Sequence, residues 1–135
     1  MALFGGLGNY KNFGLLIIRV GLGLMFIYHG FPKLAGGPHK WEQLGGAINV
    51  VGIHFWPMLW GLLSALTEAV GGFLLIIGLA FRPVCLLLVI NLVVAALVTY
   101  QPGHSLFDAS HAIEDCITFA GLLFLGPGKY SVDKK

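Results

Sequence analysis

Charged side chains are what this sequence has least of. Asp, Glu, Lys and Arg make up 10% of its 135 residues, whereas a soluble domain needs roughly a quarter of its residues charged to cover its surface. That shortage excludes an ordinary water-soluble domain. The net charge of +2 is too small for a nucleic-acid partner, and the basic residues form no patch. Cysteine is equally scarce. Cys85 and Cys116 stand alone, with no C-x-x-C pair, which disfavours an internal thiol relay. No low-complexity linker or convincing internal repeat divides the chain, so residues 1–135 read as one domain.

What fills the sequence is apolar: 57% of the residues are hydrophobic and the mean hydropathy is +0.86. Four apolar stretches lie near 13–31, 57–80, 83–101 and 109–127. Each is close to the ~20 residues that a helix needs to cross ~30 Å of hydrocarbon. The expected fold is all-α, a polytopic membrane protein with a four-transmembrane-helix bundle. The first stretch holds Arg19 and is followed by no A-x-A-like cleavage site, so it reads as a retained span rather than a signal peptide.

The connections refine this picture. "AFRPV" is so short that spans two and three must be antiparallel neighbours, with Pro83 suited to a first helical turn. Between spans one and two, Trp41, Leu44, Ile48 and Val51 recur at helical spacing, which predicts a short helix lying in the interface. With four spans both termini share a side. That side collects Lys11, Arg82, Lys129, Lys134 and Lys135 against Lys33 and Lys40, and the positive-inside rule makes it cytoplasmic. Cys85 and Cys116 then lie at opposite depths, too far apart for a disulfide at ~1.5 Å of rise per residue.

Ionisable groups at a bilayer centre cost ~2.5–3.5 kcal/mol on insertion scales, so each needs a partner or a role. Arg19 in span one and Glu68 in span two lie on faces rich in small residues, and an Arg19–Glu68 ion pair is the simplest expectation, with Asn91 joining the same layer. A second cluster is expected at the outer side. His104, Asp108, His111 and Asp115 follow i, i+4, i+7, i+11, with Glu114 beside them, and His29 and Lys33 end span one at the same level. Four readings are open for it: a solvated helix end; a quinone or small-solute site with His29, Lys33, His111 and Glu114 as proton donors or carriers; a metal site, though no standard signature is present; or a docking surface for headgroups or protein.

Two stretches are more specific. "RVGLGLMFIYHGFPKLAGG" at 19–37 and "GPGKYSVDKK" at 126–135 resemble the DoxX family of small four-helix bacterial membrane proteins. The matching positions are Arg19, His29, Gly30, Lys33 and Leu34, then Glu68, Gly71 and Gly72, Glu114, and Gly126, Pro127, Gly128, Ser131 and Asp133. The resemblance implies a protein of the bacterial cytoplasmic membrane linked to quinone, thiol or sulfur redox, since relatives called DoxD form part of a thiosulfate:quinone oxidoreductase. On that reading a redox partner delivers electrons and the bundle offers a quinone site. His29 and His111 carry protons, Lys33 and Arg19 orient a carbonyl oxygen, Glu68 holds the arginine, and Asn91 and Asp115 complete the binding groups with them. The chain carries no soluble domain of the kind that would bind thiosulfate. The other reading is a non-catalytic anchor or assembly partner whose polar layer specifies the bundle, and the small-residue faces permit a homo-oligomer.

Overall fold

Among the described residues, proline and glycine punctuate the chain into five α-helices. The computed structural model describes residues 3–100 and 106–133, with the side chains at 47, 50, 51 and 108 left aside. Helix α1 (Lys11–Ala35) follows a 3-10 segment at Gly5–Tyr10, and α2 (Gly37–Gly45) runs into a second one at Gly46–Val51. Then come α3 (Pro57–Ile77), α4 (Phe81–Thr99) and α5 (Leu106–Leu125), and no strand occurs among the described residues. Pro57 opens α3, where a missing N–H costs nothing. Gly78 closes it at φ 73°, a left-handed conformation that glycine adopts without strain.

Among the described residues three helical stretches are long and apolar enough to cross a membrane: Gly5–Ala35, Pro57–Ile77 and Phe81–Thr99. Helix α5 has the length, at 20 residues, but carries Asp108, Glu114 and Asp115 in its first half. The exterior is apolar as a lipid-facing surface must be. Phe73 is 56% exposed and Leu87 and Ile90 are each 53% exposed, while Arg19 and Glu68 are buried inside.

Glycines decide how closely the helices approach. A Cβ added to Gly23 would meet the Gly72 carbonyl oxygen at 2.5 Å, and one added to Gly30 would meet the Ala69 nitrogen at 2.6 Å, so α1 and α3 pack backbone to backbone. Helix α2 takes in Trp41 and Leu44 of the pattern expected after span one, while Ile48 and Val51 fall in the 3-10 segment that follows. The helix lies in tight contact across the first turns of α3, where a Cβ at Gly61 would run into the Trp41 carbonyl and one at Gly45 into that of Pro57. The Trp41 indole closes the α1–α2 corner by donating to the Leu34 carbonyl at 3.1 Å. Helices α4 and α5 complete a row α1–α3–α4–α5 around Leu75, Phe81, Leu88, Leu92 and Phe119.

The expected Arg19–Glu68 ion pair does not form. Arg19, 1% exposed, lies level with the end of α3 rather than its middle. Its guanidinium donates to the carbonyls of Leu75 (2.9 Å), Ile76 (2.7 Å), Pro127 (3.1 Å) and Tyr130 (2.8 Å). The last carbonyls of a helix have no intrahelical partner, and here a five-donor fork satisfies two of them and binds the C-terminal segment in the same step. That segment is further held by the Val132 and Asp133 amides, which donate to the carbonyls of Ile77 and Gly78 at 3.1 and 3.0 Å. The Asp133 carboxylate accepts from the Ala80 and Phe81 amides at 2.9 and 2.6 Å, capping α4.

Candidate functional site

Glu68 finds its partner at the far end of α1. Lys33 Nζ donates to both of its carboxylate oxygens, at 2.9 and 3.0 Å, and the Lys33 side chain is 33% exposed against 9% for Glu68. The pair can form because Gly30 seats α1 directly on the backbone of Glu68 and Ala69. Asn91 donates from Nδ2 to Glu68 Oε1 at 3.2 Å, and Ser64 donates to Asn91 Oδ1 at 2.7 Å. The chain Ser64–Asn91–Glu68–Lys33 thus ties α1, α3 and α4 together through one carboxylate. Asn91 joins the Glu68 layer, as the sequence suggested. Ser64 is a further member of this layer, and its i−4 spacing from Glu68 is the signal in the sequence that points to it.

Lys33 and Glu68 also line a cleft of about 320 Å³. His29 from α1 and His111 and Asp115 from α5 line it too, with Leu22, Met25, Phe26, Leu92 and Ala95 as apolar wall. His111 Nε2 lies 3.4 Å from Asp115 Oδ2, an i,i+4 pair whose side chains are 78% and 20% exposed. The His29 and His111 rings stand 6.3 Å apart, edge to face. The structure therefore merges the two clusters that the sequence kept apart: Glu68 belongs with His29, Lys33, His111 and Asp115, and Arg19 with the helix ends.

The depth of this cleft differs from a helix-end site. Glu68 is the twelfth of the 21 residues of α3, Asn91 the eleventh of the 19 of α4, and Asp115 the tenth of the 20 of α5. Lys33, the third residue from the end of α1, reaches that level by its side chain, and the cleft runs outward to Thr99, the last residue of α4. Glu114 is exposed and does not line the cleft. His104 lies outside the described residues, as does the side chain of Asp108. Among the described residues no group of three His, Cys, Asp or Glu side chains could hold a metal ion.

Chemically, the cleft sets one lysine ammonium, two imidazoles and two carboxylates against an apolar wall. Lys33 has three N–H donors, of which Glu68 takes two, and imidazole exchanges protons near neutral pH. The arrangement suits a small ligand with an apolar body and a hydrogen-bonding end, and the volume falls at the low end of ligand pockets, ~300–1,000 Å³.

The family model for DoxX matches residues 14–101, a stretch that holds Arg19, His29, Lys33, Glu68 and Asn91. No curated protein and no solved structure matches the chain. A match over well more than half of the chain, running through α1 to α4 and the Lys33–Glu68 pair, is decisive: this chain belongs to the DoxX family.

Proposed function

We propose that the protein is a quinone-linked subunit of a membrane redox system in the bacterial cytoplasmic membrane, with four spanning helices and both termini cytoplasmic. The observation that carries this reading is the cleft itself, where Lys33, His29, His111 and Asp115 converge on an apolar wall. A quinone bound there supplies a two-electron, two-proton acceptor, and the electrons come from a redox enzyme partner. Lys33, held by Glu68, donates a hydrogen bond to a carbonyl oxygen. His29 and His111 hand protons to the oxygens, and Asp115 orients His111. Arg19 orients no ligand in this scheme, because its donors are committed to carbonyls.

The test is quinone content and binding. Protein purified in lipid should carry quinone or take up a ubiquinone or menaquinone analogue stoichiometrically. Lys33→Met should weaken binding about tenfold, as expected for loss of a charged hydrogen bond. A preparation without quinone that binds neither analogue overturns the reading.

The commitment of Arg19 to the helix ends supports a second reading, a non-catalytic assembly partner whose polar groups only specify the bundle. It requires that Lys33→Leu with Glu68→Leu leave the fold and the host's redox phenotype intact. Loss of the phenotype with an intact fold rejects it.

A further inference from the structure

Helices α1 and α5, the two ends of the row, meet through side chains without a close backbone approach. Among the described residues no Cα of α1 comes within 8 Å of a Cα of α5, whereas α1 and α3, α3 and α4, and α4 and α5 all make such approaches. Side chains alone bridge the seam: Phe26 meets Phe119 edge to face with centroids 5.2 Å apart, and one turn further along His29 faces His111 at 6.3 Å. The cleft opens at this seam. Met25 on its α1 side is 52% exposed and the His111 side chain on its α5 side 78% exposed, while Glu68 at its floor is buried.

We propose that the α1–α5 seam is a lateral portal through which a lipophilic molecule with a hydrogen-bonding head group enters the cleft from the bilayer, the inference resting on the quinone reading only for the identity of that molecule. Leu22 and Met25, on the α1 side of the seam, are the twelfth and fifteenth of the 25 residues of α1, and Asp115 is the tenth of the 20 of α5, so the inner part of the seam lies at mid-span, where an opening in the side of the bundle faces acyl chains, while its outer part runs up to Lys33 and Thr99 at the helix ends. An apolar tail remains among lipid while the head group reaches past His29 and His111 to Lys33. His29 and His111, both exposed, lie within about two turns of the ends of α1 and α5, and a polar head group passing between them offers them hydrogen-bond partners.

The portal is tested without any quinone. A nitroxide at Ala95→Cys, at the back of the cleft, is placed in a Cys85→Ala, Cys116→Ala background in lipid nanodiscs, with Leu22→Cys as a second site should the first fail to fold. Collision with oxygen, which concentrates in the acyl phase, should exceed collision with a water-soluble nickel chelate by about threefold or more. A label reached by the chelate in preference to oxygen overturns the portal in favour of a water-facing mouth. A label reached by neither overturns it in favour of a seam covered by a second copy. Decylubiquinone is then added. A fall in oxygen access supports the quinone reading as well, whereas an unchanged lateral pattern leaves the portal standing and removes quinone as its occupant.

Discussion

Lys33 and Glu68, thirty-five residues apart, meet in a two-pronged ion pair of 2.9 and 3.0 Å beside an apolar cleft. Removing one partner of such a pair costs more than replacing both, because the survivor is left partly buried and uncompensated. Glu68→Leu alone should lower unfolding stability by about 1–3 kcal/mol, discounted for the third of the Lys33 side chain that is exposed. Lys33→Leu with Glu68→Leu should recover most of that loss. A double-mutant cycle by chemical unfolding in mild detergent measures it.

Arg19 acts as a bolt between the end of α3 and the C-terminal segment. Arg19→Met strands two terminal carbonyls of α3 and two of the segment, and should cost about 3 kcal/mol or more. Arg19→Lys should rescue little of this, because an ammonium cannot reproduce a planar fork. Thermal unfolding separates the three proteins, and limited proteolysis should show residues 126–133 cut first in both variants.

Glycine substitutions should divide by position. Gly61→Ala and Gly45→Ala force a methyl into the backbone of the opposing helix, and each should cost about 2 kcal/mol or more by overpacking. Gly14→Ala and Gly21→Ala meet nothing within 4 Å and should be neutral or stabilise by up to about 1 kcal/mol through helix propensity. Unfolding midpoints of the four variants provide the comparison.

Asp133 caps α4 across a gap of more than fifty residues in sequence. Asp133→Ala should lose about 1 kcal/mol, whereas Ala80→Gly should relieve the left-handed strain of Ala80 at φ 50° and gain about 1 kcal/mol. Hydrogen exchange at the Ala80 and Phe81 amides should rise in Asp133→Ala and serves as the direct check.

By itself the sequence determined the helices. Hydrophobic run length placed α1, α3, α4 and α5 to within a few residues, the proline and glycine positions marked their ends, and the helical spacing of Trp41 and Leu44 marked α2. It also singled out the residues that lipid would not tolerate unpartnered, because a charge in an apolar run is conspicuous wherever it lies. It could not assign the partners. Arg19 and Lys33 are both cations on α1 and were equally available to Glu68 on paper. The choice depends on register, and register is set by backbone approaches at Gly23, Gly30 and Gly72 that no side-chain pattern encodes. Tertiary packing sent Arg19 to the unpaired carbonyls at the end of α3 and brought Lys33 to Glu68, where His111 and Asp115 arrive from α5. The cleft, and the seam through which it opens, exist only once those helices are set side by side.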